Sequence, residues 1–331
     1  MPTPVLICDD SSFARKQMAR ALPAGWDVEI SFAGNGEEAL QAIAAGRGDV
    51  LFLDLNMPAL DGYETLSEIR RRDLPAMVIV VSGDIQPEAR ERVLALGAMD
   101  YISKPIDAPK VEAILNKFGI RFDAGTGSPR EVDIEIGALD VHQEIVNIAM
   151  GRAADLLARS LGVFVQLPVP RLRLTEPDAL QQVLEHAPHS EAMFVVSQGF
   201  IGAGIGGEAL LSFTESSFSH LAELMHYEGE LDAAAEVELI MDTAGILVGA
   251  CLNGIAEQLD IDFSQSHPTV LGRHTSWQEL LHPREDCNEQ ILVIELDYAI
   301  EDRDIHCDLT LFISGGSLQL LNERIDYLKY T

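Results

Sequence analysis

With 331 residues, the chain is long enough for two domains with sizeable cores, and a hydrophobic content of 47% excludes a disordered polypeptide. The formal charge of −30 is uneven: residues 1–122 carry 13 Lys/Arg against 18 Asp/Glu, and the remainder 10 against 35. A second half that acidic repels phosphate backbones, which argues against nucleic-acid binding and for partners that present basic surface.

Four cysteines, at 8, 251, 287 and 307, show no CxxC spacing, and Cys8 and Cys251 lie in apolar runs, so reduced thiols are expected rather than a disulfide or zinc framework. The opening MPTPVLICDD has acids where a secretion signal has basic residues. The longest mostly apolar run, TAGILVGACLNGIA at 243–256, is shorter than the roughly 20 residues of a membrane-spanning helix. The expectation is a cytoplasmic protein without membrane insertion.

Up to about residue 120, short apolar runs alternate with helical patterns. VLIC, DVEISFA, DVLFLDL, MVIVVSG and DYISK read as strands; FARKQMARAL, GEEALQAIAAG, GYETLSEIRRR, EARERVLALGA and APKVEAILNKFG read as helices. Strands this apolar, separated by helices, predict a five-stranded parallel sheet covered on both faces, a doubly wound α/β domain over 1–122. DAGTGSP begins a linker at 123–132, and a second domain is expected over 133–331.

That second domain opens with a long helix, about 139–161, followed by VFVQLPVPRLRL and by strands around AMFVVSQGFIG and GEALLSF. A second long helix, about 232–259, precedes strands near ILVIELDYAI and IHCDLTLFIS. A shift of 98 residues lays EIVNIAMGRAADLLARSL (144–161) over DTAGILVGACLNGIAEQL (242–259). A pseudo-twofold α/β domain with two related helices and hairpin strands is the reading.

In an open parallel sheet, ligands bind beyond the carboxyl ends of the strands. Those ends carry Asp9 and Asp10, Asp54, Ser82 and Lys104. Three carboxylates on one edge repel unless a hard cation neutralises them, and oxygen donors suit Mg²⁺. Lys104 and Ser82 then offer a cation and a hydroxyl to an anion, and phosphoryl suits Asp54 because a carboxylate can be a covalent acceptor. Alternatively, Asp10 and Ser11 cap a helix and Lys104 lies on the surface.

DD at 9–10, DLNMP around Asp54, VSG at Ser82 and YISKP ending on Lys104–Pro105 resemble the receiver domain of two-component response regulators. The resemblance implies that Asp54 is the phosphoacceptor, that Asp9, Asp10, Asp54 and the Asn56 carbonyl hold Mg²⁺, and that a sensor histidine kinase is the phosphodonor. Ser82 and Tyr101 match the paired switch residues, Lys104 the phosphoryl-binding lysine, and the Lys104–Pro105 peptide is expected to be cis.

In DVHQEIVNIAMG (140–151), Asp140, Glu144 and Asn147 fall at i, i+4 and i+7, a polar stripe on a helix rich in core residues. A solvated face explains such a stripe by itself. The DxxxExxN pattern, followed by IAMG, also resembles the CheC/CheX/FliY chemotaxis phosphatases, over roughly 133–331. The resemblance implies hydrolysis of phospho-aspartate on a CheY-type receiver domain. Asn147 would orient a water and Glu144 would pair with the receiver's lysine, so the stripe should be exposed to a partner. The second copy has Asp242 and Gly245 where the first has Glu144 and Asn147, and should be silent.

Together these imply a response regulator with a phosphatase output, controlled through Asp54. A docking module for a receiver or flagellar-switch protein, and an autophosphatase acting on Asp54, are the alternatives. Family members differ in oligomeric state, and a homodimer stays open. GAGIGG at 202–207 contains a GxGxxG, but strand-like GEALLSF follows it, so a hairpin turn is expected rather than a dinucleotide site. His186 and His189 form an HxxH explained by a surface helix.

Overall fold

The computed structural model describes residues 1–122, 130, 132–176, 193–214, 217–225, 227, 232–275, 290–301, 303 and 305–330. The expected linker lies outside the described residues except for Arg130 and Val132, as do His186, His189 and Cys287. The chain divides into two compact units, residues 1–144 and 145–331.

In the first unit, β1 (Thr3–Cys8), β2 (Val28–Ala33), β3 (Val50–Leu53), β4 (Met77–Ser82) and β5 (Asp100–Ser103) alternate with α1 (Ser12–Ala21), α2 (Gly36–Ala44), α3 (Gly62–Arg71), α4 (Pro87–Leu96) and α5 (Ala108–Lys117). The strands form a parallel sheet in the order β2-β1-β3-β4-β5, as the alternation predicts. Leu6, Leu51, Leu53 and Val80 pack into a core on one face, and Val5, Ile7, Phe52 and Ile79 into a core on the other. Burial on both faces is why these strands read as unbroken apolar runs. α3 starts hard against the end of β3: a Cβ on Gly62 would stand 2.4 Å from the Asp54 carbonyl oxygen, so only glycine lets the helix begin there.

Composition places the second domain's start at 133, whereas the first compact unit runs on to Glu144. Arg130 donates to the carbonyls of Pro23 and Trp26. Gln143 and Glu144 bond to Asp10 and Lys104, so the first turn of the long helix belongs with the residues before it.

That helix is α6 (Asp140–Leu161), followed by β6 (Val165–Gln166), β7 (Arg171–Thr175), β8 (Met193–Gly202), β9 (Ile205–Thr214) and α7 (Ser217–Leu224). The second half of the repeat comprises α8 (Ala233–Leu259), β10 (Ser264–Gln265), β11 (Thr269–Thr275), β12 (Ile291–Ile300), β13 (His306–Ser314) and α9 (Gly316–Tyr330). β7 and β11, β8 and β12, and the C-terminal ends of α6 and α8 are each offset by the same 98 residues. β9 and β13 pair antiparallel at the centre of the sheet, while β6 and β7 join β12 and β10 and β11 join β8. Each half thus completes its neighbour's sheet edge, as a pseudo-twofold repeat requires. Within the second unit, a Cβ on Gly254 of α8 would lie 2.6 Å from the Ala149 Cα of α6, a close approach that glycine permits.

The glycine-rich 202–207 segment is a hairpin turn: Gly202 pairs with Ile205, and Ala203 (φ 51°) and Gly204 (φ 84°) both adopt the left-handed conformation of a tight two-residue turn. α8 corrects one expectation. It extends beyond the apolar run and is long and apolar enough to cross a membrane by length and composition, yet 61% of its most apolar window is buried within the protein. Leu239, Leu247, Val248, Leu252 and Ile255 face that core. α7 and α9 were not expected; Leu318, Leu321 and Ile325, all buried, are the period that marks α9.

The central sheet also holds a like-charge pair. Asp297 and Asp308 stand directly opposite on β12 and β13, and Asp308 is 9% exposed with Oδ1 lacking a hydrogen-bond partner. Burial, then the Asp297 carboxylate, pushes Asp308 up to about 7, against the lowering effect of Arg171. The unfolded chain releases that proton at the ordinary lower pKa, so stability should fall as pH rises from about 4 through about 7, by up to about 1.4 kcal/mol per pH unit. Asp308→Asn is expected to remove that slope and to gain on the wild type between pH 5 and pH 8 in urea unfolding of the full chain. Parallel stability profiles for the two proteins would count against it.

Candidate functional site

The site lies at the carboxyl edge of the parallel sheet. Asp9 and Asp10 follow β1, Asp54 follows β3, Ser82 ends β4 and Lys104 follows β5. Tertiary structure brings these to one place because adjacent parallel strands end on the same edge. Lys104 is 3% exposed, which excludes the surface placement, and the peptide after it, Lys104–Pro105, is cis. Its Nζ lies 2.8 Å from Asp9 Oδ2, 3.3 Å from Asp54 Oδ1 and 3.2 Å from Glu144 Oε2.

The backbone holds the acids in place. Ser11 N–H donates to Asp9 Oδ1 at 2.9 Å and Asn56 N–H to Asp54 Oδ2 at 2.9 Å. Arg15 donates to the carbonyls of Asp9 and Asp10. Ser11 also caps α1, accepting from Ala14 N–H, so capping and site construction share these residues. Ser82 is fully buried and its hydroxyl accepts from Asp84 N–H at 3.2 Å, while the Tyr101 hydroxyl donates to the Asp84 carbonyl.

The first turn of α6 completes the geometry within this unit. Besides Glu144 on Lys104, Gln143 Nε2 donates to Asp10 Oδ2 at 2.7 Å, and the Ser12 hydroxyl donates to the Asp140 carboxylate. Asp140 also accepts from Gly137 N–H. The expected exposure of the stripe is therefore corrected: Glu144 is 2% and Asn147 4% exposed. Glu144 is buried because its carboxylate is engaged by Lys104 of the same chain. Asn147, three residues along the helix and in the second unit, has its Oδ1 without a partner. Across the repeat, Asp242 and Gly245 are exposed. Sequence periodicity gave no reason to single out Gln143 or Ser12, since Gln143 lies off the stripe.

Electrostatically, one ammonium pairs with three carboxylates, Asp9, Asp54 and Glu144. Burial pushes Asp10 up to about 8, reinforced by Asp9 and Asp54. Burial pushes Asp54 up to about 6 and Glu144 up to about 7, each opposed by Lys104. Burial works to lower Lys104, but Asp54, Asp9 and Glu144 outweigh it and hold its pKa well above the ordinary value. Among the described residues, no three acidic, histidine or cysteine side chains lie at metal-ligand spacing, and the Lys104 ammonium lies among Asp9, Asp54 and Glu144. A hard divalent cation nonetheless fits the donor chemistry: negative charge is in surplus, and Asp10 Oδ1 is buried without a donor.

A family model for the response regulator receiver domain matches residues 5–116. A response regulator of Mycolicibacterium vanbaalenii, MprA, is 30% identical over 190 residues, covering 55% of this chain and 80% of that protein. The chain belongs to the response regulators. A protein-glutamate methylesterase/protein-glutamine glutaminase of Bacillus licheniformis is 40% identical over 119 residues, covering 34% of this response regulator and 33% of the relative. The chain thus spans about a third of the length of the first curated relatives it matches. Among solved structures, Thermotoga maritima FliY is similar with a TM-score of 0.46 and 21% identity, covering 57% of this chain and 95% of FliY.

Proposed function

We propose that this response regulator takes up a phosphoryl group on Asp54 and that its second half hydrolyses receiver phospho-aspartate, with Glu144 and Asn147 as the working pair. The observation that carries the reading is the 3.2 Å ion pair between Glu144 and Lys104, the lysine that also pairs with Asp54. Asp9, Asp10, Asp54 and the Asn56 carbonyl would hold Mg²⁺, which supplies charge neutralisation for phosphoryl transfer. Ser82 and Tyr101 serve as the two-state pair that a phosphoryl group biases.

Phospho-aspartate is an activated acyl phosphate, so its hydrolysis needs alignment more than acid–base power. A water oxygen bonds to phosphorus, the bond from phosphorus to the Asp54 oxygen breaks, and carboxylate and inorganic phosphate result. Asn147 orients that water through its amide oxygen without becoming charged. Glu144 sets the register by holding the receiver's lysine. On a continuous helix the two residues are one turn apart and share a face.

Sequence alone ranks a separate CheY-type receiver as the main substrate. The Glu144–Lys104 pair favours the chain's own phospho-Asp54 as a substrate as well, and the two routes differ in kinetics. Own-site hydrolysis is first order and independent of dilution, whereas turnover of added phosphorylated receivers rises with protein concentration. Phosphate release is followed for the phosphorylated protein over a dilution series and then with a panel of phosphorylated receivers. Release no faster than from a truncated 1–122 control, with no turnover of any receiver, would leave a docking module.

A further inference from the structure

We propose that Gln143 is a positioning residue for the receiver's cation site, holding Asp10 so that its Oδ1 faces the ion. Gln143 Nε2 donates to Asp10 Oδ2 at 2.7 Å, while Oδ1 of the same carboxylate is buried and has no hydrogen-bond partner. Other side chains already hold the neighbouring acids: Asp9 Oδ2 lies 2.8 Å and Asp54 Oδ1 3.3 Å from Lys104 Nζ. Asp10 is thus left with one oxygen secured and one unpaired.

Mg²⁺ demands near-ideal ligand geometry, so a carboxylate fixed by an outer hydrogen bond reaches it with less reorganisation. Arg15 anchors the Asp10 carbonyl, but the carboxylate itself is oriented by Gln143. Gln143 lies beyond the 5–116 match to the receiver family, so the assignment makes cation affinity depend on a residue from outside the receiver's own sequence. Reciprocally, the cation favours the hydrogen bond from Gln143 to Asp10.

The proposal rests on reading Asp9, Asp10 and Asp54 as a cation site, and the test separates the two. Mg²⁺ alone is titrated by isothermal calorimetry into the full-length wild type, Gln143→Ala and Ser12→Ala. Ser12→Ala removes the Asp140 contact, loosening the same turn without touching Asp10. Gln143→Ala is expected to weaken Mg²⁺ binding about tenfold, with Ser12→Ala close to wild type. Thermal unfolding in EDTA, expected to be alike for all three, checks that the variants fold. Equal affinities for wild type and Gln143→Ala would overturn the proposal, as would equal weakening in both variants, which assigns the effect to seating alone. A wild type that binds no Mg²⁺ would instead overturn the cation site itself.

Discussion

Incubated with acetyl phosphate and Mg²⁺, the protein is expected to take up one phosphoryl group per chain and Asp54→Asn none. Asp54 is buried at the end of β3, its Oδ1 paired with Lys104 while its Oδ2 accepts from the Asn56 N–H. Asp9 is tied to Lys104 and to Ser11, and Asp10 to Gln143. An amide at 54 keeps the shape of the side chain but loses the carboxylate oxygen that attacks phosphorus. Intact-mass measurement reads the outcome directly. Labelling of Asp54→Asn at the wild-type level would move the acceptor elsewhere. The buried acid should also be more readily protonated than an exposed aspartate, since its pKa is raised to about 6.

Asn147→Ala is expected to prolong the life of phospho-Asp54 about 100-fold, the order of loss when a reacting water is no longer aligned. Asn147 is 4% exposed and its Oδ1 has no partner, so the substitution removes a group that no other hydrogen bond employs as acceptor. The matching position of the repeat supplies the control. Gly245 is exposed, and a Cβ there meets nothing within 4 Å. Gly245→Ala should leave phosphate release unchanged and raise stability by about 0.5–1 kcal/mol, the helical cost of glycine relative to alanine. Release is followed with purified phosphorylated protein after removal of the phosphodonor. An unaltered lifetime in Asn147→Ala would assign hydrolysis to the receiver alone, and a large loss in Gly245→Ala would mean that the second helix also takes part.

Elements whose signals are local were legible. The five strands of the first unit are short apolar runs because both faces are covered, and the intervening helices carry one apolar stripe each. The duplication showed in the helix repeat, and the 98-residue offset recurs in the strands. The hairpin at 202–205 followed from glycine's tolerance of positive φ. Leu318, Leu321 and Ile325 carry a helical period that begins just past the Gly315–Gly316 break, so α9 was legible in the sequence too.

The sequence by itself determined the identity of the acidic edge, because Asp9, Asp10, Asp54 and Lys104 each terminate a recognisable strand, and parallel strands end together. It also determined the stripe Asp140, Glu144 and Asn147, which helical spacing alone defines. Only the tertiary structure decided where Glu144 goes. A polar residue on a helix can face water, a partner or its own chain, and local periodicity is the same in all three cases. Its burial against Lys104, the bond from Gln143 to Asp10, and the exposure of Asp242 and Gly245 arise from packing between residues far apart in the chain. Through-space proximity of that kind sets charge, burial and accessibility, and no pattern within a single helix encodes it.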